Sequence, residues 1–109
     1  RRTAALAIMA AELLAGTNPS ITGESVAAAL QSVTWPGRFE SFILDGKTVI
    51  VDGAHNPAGA AALKASLDVS FPDEGRVLLL GILEDKDYHA MLRTLVGAGD
   101  RVVITPPMS

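Results

Sequence analysis

The stretch TVIVDGAHNP, residues 48–57, decides the fold of this chain. Its first four residues are β-branched and favour a buried strand, and the acid and glycine that follow favour a tight turn. Asn56 is a good helix N-cap, and Pro57 suits the first helical position because it has no backbone N–H. The stretch therefore predicts a strand that turns directly into a helix. Asp52 and His55 would then lie at the carboxyl end of a strand, where open α/β sheets bind ligands and a helix N-terminus favours an anion.

The composition limits the size of the fold and the kinds of partner. With 109 residues, 49% hydrophobic and only 5% aromatic, the chain can bury one modest aliphatic core. A net charge of −3 gives no basic surface, which argues against nucleic acid or an anionic membrane as the main partner. The absence of cysteine excludes disulfides and thiolate metal sites and is consistent with a cytoplasmic protein. Because the chain starts without Met and stops just after a predicted strand, we expect it to be part of a larger protein.

The order of elements predicts two parts. Two helices are expected over residues 2–15 and 23–33, and the helical pattern then breaks at Thr34-Trp35-Pro36-Gly37. Strand–helix alternation follows the break. We therefore expect a domain boundary here, with residues 1–34 before it and residues 35–109 after it.

The second part reads as an α/β domain with a mostly parallel sheet. Two apolar runs, residues 39–44 and 48–52, flank an Asp-Gly pair, which is a strong hairpin signal. We expect this antiparallel hairpin at the edge of the sheet, with right-handed crossovers joining the parallel strands that follow. The first of those strands should be buried on both faces, as parallel strands usually are. The chain continues as helix, strand, helix and strand over residues 57–69, 77–82, 88–96 and 101–105.

Three loops carry polar side chains that such a sheet does not need for folding. In the first loop, Arg38 follows a Pro-Gly turn, and the planar fork of an arginine can grip a phosphate or steady a transferring phosphoryl group. In the second, Asp52 can bind a ribose diol or a magnesium ion, and His55 can stack on a base or donate to a ligand. In the third, Lys86 can neutralise a phosphate or orient a carboxylate. Because loops of this kind gather at the carboxyl ends of strands, we expect the fold to bring Arg38, Asp52 and Lys86 together.

Each of these residues also has a purely structural interpretation. Arg38 can belong to a domain linker and form a surface ion pair, since most arginines are simply solvated. Asp52 can cap the turn while His55 stays on the surface, and one His with one Asp does not make a zinc site. The charge run around Lys86 can be a solvated loop. The chain holds no Gly-x-x-x-x-Gly-Lys-Ser/Thr and no Gly-x-Gly-x-x-Gly, so any nucleotide would need its phosphate cradle elsewhere.

Three motifs resemble the folylpolyglutamate synthase/dihydrofolate synthase family of the Mur ligase superfamily. They are WPGRFE at 35–40, VDGAHNP at 51–57 and GILEDKD at 81–87, and they occur in the order of that family with fitting intervals. The resemblance covers nearly the whole chain. It implies that residues 1–34 are the last helices of a central ATPase domain. Residues 35–109 would form most of a Rossmann-like C-terminal glutamate ligase domain, truncated at its end.

The resemblance also implies a reaction. In this family ATP phosphorylates a carboxylate of dihydropteroate or of a folate, and the amine of L-glutamate displaces phosphate from the acyl phosphate to form an amide. ATP would lie between this domain and the upstream ATPase domain of the same chain. The phosphate-binding loop and the Mg²⁺ ligands would lie outside residues 1–109, so we expect no metal site in this chain and no activity from it alone.

Site residues carry over only at matching positions. By resemblance, Arg38 would contact the ATP phosphates, Asp52 would bind the ribose and His55 would lie beside the nucleoside. Asn56, Asp85 and Lys86 match motif positions near the active cleft, with no defined role. At Thr3 the family often has an asparagine that touches the nucleotide, which leaves that contact in doubt. A peptidoglycan-precursor Mur ligase and a non-catalytic nucleotide-binding module are the alternatives.

Overall fold

The computed structural model of the protein describes residues 2–72 and 75–106. They form two compact units, one within residues 1–35 and the other within residues 36–109. None of the described helices has the length and apolar character that crossing a membrane requires. Thr3 belongs to the first helix, but its side chain lies outside the described part, so the structure does not test the nucleotide contact that is in doubt at that position.

The first unit consists of two helices, α1 (Arg2–Ala15) and α2 (Gly23–Ser32), close to the predicted bounds. A capping box starts α2. The Thr22 hydroxyl accepts a hydrogen bond from the Ser25 amide at 3.1 Å, and the Ser25 hydroxyl accepts one from the Thr22 amide at 2.9 Å. These reciprocal bonds satisfy two amides that a helix start otherwise leaves unpaired.

The second unit opens with the predicted hairpin. Strands β1 (Glu40–Leu44) and β2 (Lys47–Val51) pair antiparallel, with Leu44 opposite Lys47 at the turn. Asp45 and Gly46 form that turn with φ angles of 50° and 73°. Two successive positive φ angles are what a type I′ turn requires, and the twist of this turn matches that of the strands it joins.

Helices and parallel strands complete the second unit and confirm the α/β class. They are α3 (Pro57–Ser70), β3 (Val77–Leu80), α4 (Tyr88–Leu95) and β4 (Arg101–Ile104), and β3 pairs parallel with β4. The small core lies where α3 meets α4 over β3. Ala60, Met91 and Leu95 are buried there, and the partly buried side chains packed against them are Leu63, Leu80 and Ile82.

The sheet is less continuous than the sequence predicts. Among the described residues, the hairpin β1–β2 and the pair β3–β4 are separate two-stranded sheets, and β2 does not contact β3. Helix α3 packs on α4, and Leu80 of β3 packs against the core between these helices. The prediction that β3 is buried on both faces is wrong in this structure. Val77 and Leu79 are 62% and 69% exposed, because α3 and α4 cover only the opposite face of the strand.

A buried carboxylate ties the start of β3 to the start of β4. The Asp100 side chain, only 2% exposed, accepts hydrogen bonds from the Gly97 amide at 2.8 Å and the Arg76 amide at 3.0 Å. The bond from Gly97, helped by that from the Arg76 amide and the Arg76 charge, holds the pKa of Asp100 below its ordinary value of 3.8, against the opposing effect of burial. Asp100 therefore stabilises this end of the sheet as an ion.

We predict that Asp100→Asn weakens this end of the sheet at neutral pH. The two backbone amides bind different oxygens of Asp100, and asparagine has an NH2 group in place of one of them, so one part-buried N–H loses its partner, which costs about 1–3 kcal/mol. The measurement is hydrogen exchange of the Gly97 and Arg76 amides in the full-length protein that carries this chain. Asp68→Asn, which removes an exposed partner of Lys64 and Arg76, is the matched control and should leave both amides protected.

The effect has a defined pH dependence. The pKa of Asp100 is lower in the folded state than in the unfolded state. Its carboxylate therefore stabilises the folded state fully at pH values above its ordinary pKa, and this stabilisation is lost as the pH falls through the lowered pKa. Protection of the two amides should therefore fall in acid in the wild-type protein, whereas Asp100→Asn should lack that step. Equal protection in both proteins at pH 7 would contradict this account.

Candidate functional site

The turn between β2 and α3 forms as the sequence predicts. Strand β2 ends at Val51 and helix α3 begins at Pro57. The Asn56 side-chain oxygen accepts a hydrogen bond from the Gly59 amide at 2.8 Å, which confirms Asn56 as the N-cap. Asp52 and His55 therefore lie between a strand end and a helix start.

The Asp52 carboxylate joins this turn to the loop before β1. One oxygen accepts a hydrogen bond from the Ala54 amide at 2.8 Å, which is the turn-capping role that the sequence allows. The other accepts one from the Phe39 amide, also at 2.8 Å. Beside them the Gly53 amide donates to the Gly37 carbonyl at 2.8 Å. The two loops on either side of the hairpin are thus locked together.

This lock supports an unusual backbone conformation. Phe39 has a φ angle of 48°, in the left-handed region. That region costs a residue with a side chain about 1–2 kcal/mol, and a charge-assisted hydrogen bond from its own amide to Asp52 offsets that cost. Sequence reasoning missed this bond, because the two residues are thirteen positions apart and nothing in the pattern marks Phe39 as left-handed.

Arg38 projects from the locked loop toward the turn. Its side chain is exposed, and its guanidinium lies so close to Gly53 that a Cβ atom at residue 53 would overlap Nη1. No ion pair within residues 2–72 and 75–106 involves Arg38, so the structure gives the surface ion-pair interpretation no support. A guanidinium that has no acidic partner keeps its donors available for an anionic ligand.

The His55 ring is held in one orientation. Its Nδ1 lies 3.0 Å from the Gly53 carbonyl oxygen. Because a carbonyl only accepts, Nδ1 carries the proton in the neutral ring and Nε2 is left as an acceptor. The exposed ring therefore offers an acceptor nitrogen beside the turn.

A cavity of about 260 Å³ brings these groups together. Four of the six predicted site residues line it: Arg38, Asp52, His55 and Asn56. The other lining residues are Phe39, Gly53, Ala54, Gly59, Ala62, Leu63 and Ser66. Two of the three predicted loops thus meet in one site.

The third predicted loop does not line this cavity. Asp85 and Lys86 lie between β3 and α4 and bind each other, with Lys86 Nζ 2.6 Å from Asp85 Oδ2. In this structure Lys86 therefore forms an ion pair with the residue before it in the chain. No group of three or more metal-ligating side chains occurs in the described part of the chain.

A larger cavity, of about 570 Å³, lies elsewhere in the second unit, beside Lys64, Arg76 and Asp100. Its cations are already engaged, since Lys64 and Arg76 both bind Asp68, at 2.6 and 2.7 Å. We therefore take the smaller cavity, whose arginine forms no ion pair with a described residue, as the candidate site.

Comparison with known proteins identifies the family of this site. Residues 37–109 match the family described as Mur ligase, glutamate ligase domain. The chain is 41% identical over 101 residues to the dihydrofolate synthase/folylpolyglutamate synthase of Mycobacterium tuberculosis, covering 93% of this chain and 20% of that protein. It is 36% identical over 107 residues to the folylpolyglutamate synthase of Lacticaseibacillus casei, covering 97% of this chain and 24% of that protein.

Solved structures agree with these relatives. The folylpolyglutamate synthase of Mycobacterium tuberculosis complexed with ADP matches with a TM-score of 0.70 at 41% identity, over 78% of this chain and 19% of that one. The folylpolyglutamate synthase of Thermotoga maritima matches with a TM-score of 0.66 at 39% identity, over 78% of this chain and 20% of that one. The chain spans about a fifth to a quarter of the length of these relatives.

The family match covers more than half of the chain, and the two relatives align with 93% and 97% of it. The resemblance inferred from the motifs is thereby confirmed. The chain belongs to the Mur ligase family through its glutamate ligase domain.

Proposed function

We propose that this chain is part of an ATP-dependent ligase that joins L-glutamate to folates, to dihydropteroate or to both. Support comes from the family, from relatives named as folate ligases, and from a relative solved with ADP. The observation that carries the proposal is the Arg38 guanidinium, which shares a cavity with Asp52 and His55 and has no acidic partner among the described residues.

The side chains of the cavity suit a nucleotide. Arg38 supplies a permanent positive charge for the phosphates and for the charge that develops as a phosphoryl group is transferred. Each Asp52 oxygen accepts one hydrogen bond from a backbone amide and retains a second lone pair for a ribose hydroxyl. His55 offers Nε2 to a donor on the nucleoside, and the start of α3, fixed by Asn56, adds the positive end of a helix dipole.

The reaction we propose has two steps. ATP gives its γ-phosphoryl group to a substrate carboxylate, which makes an acyl phosphate and ADP. The amine of L-glutamate then attacks the acyl carbon, so that a carbon–nitrogen bond forms and phosphate leaves. By the family resemblance, the Mg²⁺ that accompanies ATP would be held by residues outside 1–109.

The setting follows from the same resemblance. Residues 1–34 would be the end of an upstream ATPase domain, residues 35–109 would belong to the glutamate ligase domain, and the enzyme would act in the cytoplasm. Asp85 and Lys86, which bind each other in this structure, would lie near the active cleft. The relatives reported above favour the folate branch over a peptidoglycan-precursor ligase, and over a binding module without catalysis.

The direct test is phosphate release by the full-length protein that carries this chain. ATP is supplied with dihydropteroate or tetrahydrofolate, with and without L-glutamate. Sustained release that needs both a pterin and glutamate supports the ligase and shows which pterin it uses. Nucleotide binding without release would favour the non-catalytic module, and release with other carboxylates and amines would favour another branch of the family.

We predict that Arg38→Ala lowers kcat/KM for ATP by about 100-fold or more, because one donor aimed at developing charge is removed. The free energy of unfolding should change by less than about 0.5 kcal/mol, since the side chain is exposed and forms no ion pair with the described residues. Arg101→Ala is the control, because Arg101 is exposed at the start of β4 and does not line the cavity. If Arg38→Ala lowered the free energy of unfolding and kcat/KM together, Arg38 would have the structural role of a linker residue.

A further inference from the structure

We propose that Gly53 is a positioning residue for Arg38: its missing side chain leaves the space in which the guanidinium lies. A Cβ atom at residue 53 would overlap Arg38 Nη1 and would lie 3.4 Å from Cζ. The planar end of Arg38 therefore rests directly on the turn that carries Asp52 and His55. This role presupposes the nucleotide function proposed above, because Arg38 matters only if it meets a phosphate.

Space, and not backbone conformation, is what requires glycine here. The glycines with left-handed φ angles in the described chain are Gly37, Gly46 and Gly99, and Gly53 is not among them. An alanine can therefore adopt the backbone of residue 53 without the strain that it would meet at those three positions. A Cβ would also lie 3.4 Å from the Gly37 carbonyl oxygen, which is close to an ordinary contact.

Hydrogen bonds hold the backbone on both sides of Arg38, so a larger residue 53 would displace the Arg38 side chain and not its backbone. The Gly37 carbonyl accepts from the Gly53 amide at 2.8 Å, and the Phe39 amide donates to Asp52 at 2.8 Å. These two bonds fix the residues before and after Arg38 to the same turn. With a methyl group at residue 53, the Arg38 side chain would consequently rotate away from the turn, and the loop before β1 would keep its position.

No ion pair with the described residues opposes that rotation. The guanidinium lies against Gly53, where a Cβ atom would overlap it. Since small misplacements of a binding group cost large factors in rate, the size of residue 53 should control how well Arg38 meets its ligand.

The test is a double-mutant cycle in the full-length protein, with Gly53→Ala, Arg38→Ala and the double variant. We expect Gly53→Ala to lower kcat/KM for ATP by about tenfold to a hundredfold. In the Arg38→Ala background the same substitution should change it less than about twofold, because the group that it displaces is gone. Gly23→Ala, where a Cβ meets nothing within 4 Å, is the matched control and should resemble the wild type.

Two results would overturn the positioning role. One is wild-type kcat/KM in Gly53→Ala; the other is an equal loss in both backgrounds, which would mean that residue 53 acts on the backbone or on the ligand itself. A crystal structure of Gly53→Ala gives a readout without ATP: the guanidinium should leave its place over the turn while the bond between Phe39 and Asp52 remains. An unmoved Arg38 refutes the positioning role, whereas a wild-type protein that neither binds nor cleaves ATP refutes the proposed function.

Discussion

The candidate site depends on one carboxylate, that of Asp52, which accepts two backbone hydrogen bonds from two different loops. The bond to Ala54 shapes the turn before α3, and the bond to Phe39 pulls in the loop before β1. That second bond is donated by the amide of Phe39, which has a left-handed backbone and directly follows Arg38. A group that the sequence presents as a ligand-binding acid is therefore also the structural centre of the site.

A second carboxylate with two backbone hydrogen bonds joins the start of β3 to the start of β4. Asp100 accepts from the Gly97 amide three residues away and from the Arg76 amide twenty-four residues away, as Asp52 accepts from one near and one distant amide. In a unit whose buried apolar cluster is small, such bonds between loops fix positions that packing alone leaves open. The two carboxylates border different cavities. Asp100, whose side chain is 2% exposed, borders the larger cavity, whereas Asp52 borders the candidate site beside Arg38.

Local patterns predicted the elements well, because their causes are local. The Asp45-Gly46 turn and the Asn56 N-cap each rest on residues within three positions of one another, and the structure forms both. The continuity of the sheet and the burial of β3 were predicted less well, since both depend on which elements pack on each face. The residues of the candidate site were predicted from motifs. The contacts among them were not, because the bond between Phe39 and Asp52 and the packing of Arg38 on Gly53 arise only when two distant loops meet.

We expect this lock between the two loops to exist before the proposed nucleotide binds. Hydrogen exchange at the Phe39 and Gly53 amides, measured in the full-length protein with and without ADP, tests it most directly. Both amides are hydrogen-bonded within the protein, so they should be protected without ADP, and ADP should add little. Exchange at the rate of an unstructured loop until ADP is added would show instead that the ligand assembles the site, and would contradict the account.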